Sequence, residues 1–181
     1  MRRIKLCAAL VTIAGAAFAR PSMAAAQCTA SGAPASCNLP GSVSMTAGRV
    51  VRVQVSAGST ALTAPTPADF DGGLNSTTGP SLTVSANAAW TLHIRASAAL
   101  WTATNTSPGA PARTTKPAGD LKWSTASNGT FNALTTTDVL LVGGSATASS
   151  ATTLYFQTLY NWTLDTPGNY SLAVILTLTS P

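Results

Sequence analysis

Acid–base chemistry needs His, Glu, Asp or Lys within hydrogen-bonding reach of a reacting atom. This chain supplies one histidine, His93, no glutamate, and five separated aspartates, Asp69, Asp71, Asp120, Asp138 and Asp165. No G-x-S-x-G elbow, H-E-x-x-H pair, phosphate-binding loop or dinucleotide fingerprint is present. A triad of His93 with one Asp and one of the many serines is compatible with the composition. However, His93 lies between Thr91 and Arg95 on the polar side of an alternating run, where a solvated surface histidine is the simpler account. The stretch Asp69-Phe70-Asp71-Gly72-Gly73-Leu74-Asn75 offers oxygen ligands in a Gly-containing loop, but it has only two carboxylates and lacks the bidentate Glu of a complete calcium loop. Turn formation is the better account of it. The inventory predicts a noncatalytic protein without metal or cofactor.

Two other residue types could carry function. Cys28 and Cys37 form an even pair in a segment of Ala, Ser, Gly and Pro, and in an oxidising compartment a local disulfide is expected, stabilising by roughly 2–3 kcal/mol through chain entropy. A metal site would need further Cys or His ligands nearby, and His93 is far away in sequence. The four tryptophans are Trp90, Trp101, Trp123 and Trp162. A platform of exposed Trp and Tyr can hold sugar rings, so these four are the candidate wall or sugar contacts. Trp90 shares its alternating face with Leu92 and Ile94, which also suits a core position.

The elements that must position these residues are strands. Ser and Thr together make up 45 of the 155 residues that follow residue 26, a mixture that disfavours long helices. Val51, Val53 and Val55 alternate with polar residues, as do Leu82, Val84 and Ala86, and Trp90, Leu92, Ile94 and Ala96. Further strands are expected at Ser42–Met45, Leu100–Ala103, Leu121–Ser124, Phe131–Leu134, Val139–Val142, Thr153–Tyr160 and Tyr170–Leu178. Asp71-Gly72-Gly73, Gly79-Pro80, Asn128-Gly129, Gly143-Gly144 and Pro167-Gly168 read as turns between them. Ala64–Pro80 and Thr104–Gly119 read as long surface loops, and Ser145–Thr152 as an edge strand or a flexible connection. The uncharged run Leu172–Leu178 is expected in a central or paired position, because exposed on an edge it would invite aggregation. The predicted fold is all-β: an antiparallel β-sandwich, immunoglobulin-like or jelly-roll-like.

Charge and hydropathy divide the chain into three parts. Arg2, Arg3 and Lys5 precede the apolar run Leu6–Phe18 and the small residues up to Ala26, the pattern of an export signal over residues 1–26. Residues 27–40 form the cysteine-stapled segment, and 41–181 a single sandwich domain. The formal charge of +5 belongs largely to the leader, since beyond it six basic residues face five aspartates. A near-neutral domain gives no basis for binding nucleic acid, and no later apolar run reaches the length of a membrane helix. The localisation expected is exported: cell surface, periplasm or extracellular.

Pro167-Gly168-Asn169-Tyr170 followed by alternating Leu172, Val174, Leu176 and Leu178 looks like the last strand of many immunoglobulin-like bacterial surface domains, whose tyrosine anchors the preceding turn. Trp90-Thr91-Leu92, together with Tyr170 through Leu178 to Pro181, resembles the two signature regions of bacterial WxL-type cell-surface domains. Leu176 stands where that family has its second tryptophan. The resemblance covers roughly Ser81–Pro181 and implies noncovalent attachment to the cell wall, with Trp90 and Leu92 as motif positions. Few charges, many Thr and Ser and a cysteine pair are also similar to pilus subunits, in which one subunit's segment completes another's sheet. Residues 27–40 lack the alternating apolar residues of a donor strand. The expected function is therefore a noncatalytic surface or envelope protein with a structural or adhesive role. The alternatives are a pilus or fimbrial-type subunit and a carbohydrate-binding module. Its partners would be a cell-wall polymer, a glycan or another surface protein, with self-association as a further option.

Overall fold

The computed structural model describes residues 43–106 and 111–181. The expected export signal and the expected Cys28–Cys37 disulfide lie outside the described residues.

Ten strands follow one another as β1 (Val51–Val55), β2 (Leu74–Ala86), β3 (Trp90–Ala96), β4 (Thr102–Asn105), β5 (Leu121–Ser124), β6 (Asn132–Ala133), β7 (Val139–Gly144), β8 (Thr147–Leu159), β9 (Gly168–Ser171) and β10 (Val174–Thr179). One short helix, α1 (Pro67–Gly72), and a 3₁₀ turn at Ala118–Asp120 complete the set. A five-stranded sheet has the order β1-β2-β8-β5-β6, a three-stranded sheet the order β10-β3-β7, and β4 pairs with β9. The strand pairs are antiparallel. These sheets enclose one core, as expected of a β-sandwich. From the larger sheet come Leu82, Val84, Leu121, Trp123, Leu154 and Phe156, and from the smaller Trp90, Leu92, Ile94 and Ala96. The period-2 alternation read in β2 and β3 matches their burial, for Leu92, Ile94 and Ala96 are fully buried while Thr91, His93 and Arg95 between them are not. The residues Ala47–Pro181 group into one unit. Among the described residues, no helix is long and apolar enough to cross a membrane.

Several expectations are corrected. Ala64–Pro80 is not a loop: it holds α1 and the first half of β2. Thr66 caps α1, its hydroxyl accepting from the Asp69 N–H while the Asp69 carboxylate accepts from the Thr66 N–H, and Pro67 opens the first turn. Gly73 closes the helix in the left-handed conformation at φ 74°. Gly79-Pro80 is a β-bulge inside β2, where the register to β8 shifts between Thr78 and Ser81. A Cβ at Gly79 would meet the Phe156 ring at 2.6 Å, so the bulge lets a core aromatic lie against bare backbone.

Of the two alternatives for Ser145–Thr152 the strand holds, since Thr147–Thr152 is the first half of β8 and is laddered to β2, whereas β5 pairs with β8 only from Tyr155 onward. Of the second expected loop, Thr104 and Asn105 belong to β4 and Ala118 begins the 3₁₀ turn. The strand expected at Leu100 starts at Thr102, with Leu100 making an isolated bridge to Pro117. Val43–Met45 forms no strand. Tyr170–Leu178 is divided at Leu172-Ala173: β9 pairs with β4, β10 with β3. β10 is paired but not central, for it is an edge of its sheet.

Tyr170 anchors its turn as the P-G-x-Y pattern predicts. Its hydroxyl donates to the Thr166 carbonyl at 2.6 Å and accepts from the Arg113 N–H at 2.9 Å. A tyrosine bonded to backbone a few residues upstream is a recurrent corner of immunoglobulin-like sandwiches.

Candidate binding surface

The tryptophans separate sharply by environment. Trp90, Trp101 and Trp123 are buried, as is Leu92, and all four belong to the hydrophobic core. The indole N–H groups of Trp90 and Trp101 donate to the carbonyls of Ser145 and Pro117 at 2.9 and 3.1 Å, which lets polar groups enter an apolar core. Trp162 is the exception, with 60% of its surface exposed.

Trp162 is exposed but held. Its ring stacks on Phe70 with centroids 4.6 Å apart and planes 27° from parallel, and Phe70 in turn meets Tyr160 at 5.3 Å. The Trp162 indole N–H donates to Asp71 Oδ1 at 3.0 Å. Phe70 and Asp71 both sit on α1, so the Thr66–Asp69 capping box and the Gly73 cap orient the base of the aromatic stack. The two Thr66 hydrogen bonds hold the Asp69 carboxyl below its ordinary pKa, the backbone N–H contributing most. Burial pushes the Tyr160 phenol up. Asp69 and Asp71, weighed from sequence as calcium ligands, serve here as a helix cap and an indole acceptor.

A buried ionic cluster fixes the turn that carries Trp162. Asp165 Oδ1 accepts from Arg113 and from Lys116 Nζ, each at 3.0 Å, and Asp165 Oδ2 accepts from the Asn161 N–H at 2.9 Å. Asp120 accepts from the same two cations at 3.3 and 3.1 Å. Lys116, only 2% exposed, also donates to the Leu159 carbonyl at 2.8 Å and lies 5.4 Å from the centre of the Tyr160 ring. Two cations and two carboxylates thus balance in charge while clamping Asn161–Asp165 to the segment Arg113–Asp120. Asn161 then accepts from Thr163 through both backbone and hydroxyl, completing the turn.

Sequence reading did not anticipate this cluster or the role of Phe70, because its charges are scattered along the chain. Lys116 and Asp120, four residues apart, were its only local trace. His93 lies elsewhere, half-buried on β3 opposite Thr177 and Leu140. Among the described residues, no group of three or more His, Cys, Asp or Glu side chains is placed to hold a metal ion.

Chemically, the arrangement presents a largely exposed indole that stacks on Phe70 and whose N–H is held by the Asp71 carboxylate. Such a surface suits a ligand with an apolar face and hydroxyl edges, the description of a pyranose ring. No protein-family model matches the chain, and a search of curated proteins finds no match.

Proposed function

We propose that this is an exported, noncatalytic component of the bacterial cell surface or envelope with a structural or adhesive role, contacting a cell-wall polymer or glycan through Trp162. The observation that carries this reading is an aromatic ring 60% exposed yet fixed by a stack on Phe70 and a bond to Asp71. Leaving a large ring in water forgoes its burial energy, and holding it in one orientation lowers the entropy cost of binding. The WxL-type resemblance, carried by Trp90-Thr91-Leu92 and the segment Tyr170–Pro181, implies the same surroundings, although Trp90 and Leu92 are themselves buried. The test is cosedimentation of the purified protein with isolated bacterial walls and with insoluble polysaccharides. Binding by the native protein and its loss in Trp162→Ala is the expected result; recovery of the native protein in every supernatant rejects the reading.

The alternative of a polymer subunit draws on a different observation, the edge position of β10, which among the described residues pairs with β3 alone. It predicts species of high mass in unheated gels that collapse to monomer on boiling.

A further inference from the structure

Asp71 carries a charge that the fold does not use. Its Oδ1 accepts from the Trp162 indole N–H at 3.0 Å, a bond that the amide oxygen of an asparagine could accept as well. Of the other aspartates, Asp138 pairs with Arg95, Asp120 and Asp165 pair with Arg113 and Lys116, and Asp69 holds the Thr66 cap. Asp71 is exposed, and among the described residues it forms no ion pair. It also stands in the last turn of α1, which holds no basic residue and where the helix dipole disfavours a negative charge.

This charge lies beside an aromatic surface. Phe70 stacks on the Trp162 ring, yet 60% of Trp162 remains exposed. The face of an indole attracts cations through its quadrupole, and a carboxylate next to it attracts them by Coulomb's law. Both disfavour a polyanion, and together they favour a ligand that joins a flat apolar side to a protonated amine. Neighbouring cations do not cancel the preference. Arg113 and Lys116, which clamp the turn below Trp162, are largely buried and already balanced by Asp120 and Asp165, while Asp69 on α1 adds a second carboxylate without an ion pair.

We infer that the Trp162 platform selects polysaccharide units bearing a free, protonated amino group, glucosamine being the simplest, over their N-acetylated counterparts, and that Asp71 sets this selection. The inference rests on the platform reading above and names its substrate class. The sugar ring lies against the indole while its ammonium group donates to Asp71 Oδ2, the oxygen that the indole N–H leaves free. Acetylation removes the charge, and with it both the ion pair and the cation–π contact. Each of these is weak at an exposed site, so the preference expected is at least about threefold.

The test is titration of the protein with soluble hexasaccharides of glucosamine and of N-acetylglucosamine at mildly acidic pH, where the amine is protonated, for the native chain, Asp71→Asn and Trp162→Ala. The native protein is expected to bind the amine form at least about threefold more tightly, and the ratio is expected to fall to about one in Asp71→Asn, which keeps an acceptor for the indole. A second measurement needs no variant: added salt should shrink the native ratio by screening the exposed pair. Equal native affinities, a ratio unmoved by salt or a ratio retained in Asp71→Asn overturns the selection, and leaves the platform reading in place if walls still bind through Trp162. A preference that survives in Trp162→Ala means that charge alone attracts the amine, which also overturns it. A native protein that binds neither hexasaccharide overturns it too, and absence of wall cosedimentation as well would take the platform reading with it.

Discussion

At the residue scale, the ionic cluster beneath Trp162 sets the sharpest expectations. Lys116→Met removes a buried cation that satisfies Asp120, Asp165 and the Leu159 carbonyl together. Arg113 remains to pair both carboxylates, so the expected loss is about 3 kcal/mol in denaturant unfolding, the lower end for breaking a buried ion pair. A loss below about 1 kcal/mol would mean that the cluster is worth no more than a surface pair. Asp69 gives a pH dependence of definite sign. Its folded pKa is depressed, so the stabilisation it lends α1 is present above the unfolded pKa and disappears as pH falls through the folded value. Below the ordinary carboxylate range the cap should therefore loosen, and the amide proton resonance of Thr66, whose N–H donates to Asp69, should shift with it. Asp69→Asn should remove that acid-dependent shift; an identical titration in the variant would contradict the coupling. The charges of the ionic cluster did not stand out in sequence, since a network closed by residues about fifty positions apart has no local period.

At the scale of elements, legibility followed the origin of each strand's stability. β3 and the C-terminal half of β2 bury one face fully, so their alternation was plain from Leu82 to Ala96. The first half of β2 and of β8 consist mostly of Ser, Thr, Ala and Gly, and each ladders to the apolar second half of the other strand, so it is a strand by pairing rather than by an apolar face of its own. α1 was written in Thr66-Pro67-Ala68-Asp69, a capping signal inside a stretch whose Pro and Gly content suggested a loop. Leu172 and Ala173 part β9 from β10 without any Pro or Gly to mark the break. The bulge at Gly79 makes a further prediction. Gly79→Ala forces its methyl against Phe156 and the Leu154 carbonyl, at a cost of about 1–3 kcal/mol. An unchanged melting temperature would show that the bulge can open.

At the scale of the whole molecule, the sandwich separates its tasks. Three tryptophans are buried in the core, and the fourth is set outside it on a turn clamped by buried charge. The near-neutral charge of the domain matters here, because a surface of Thr, Ser, Asn and Ala leaves shape, hydrogen bonding and one aromatic face to provide recognition. Of the candidate contact residues read from sequence, Trp162 alone has the exposure that contact requires. Its aromatic partners were legible only once α1 had been placed beside it. The central claim is that this ring is a binding platform and not a structural residue. The direct measurement is wall cosedimentation of native protein and Trp162→Ala, each with its melting curve. The account predicts that Trp162→Ala melts within about 1 kcal/mol of the native protein, as expected for an exposed position, yet stays in the supernatant. Equal sedimentation of the two proteins would contradict it.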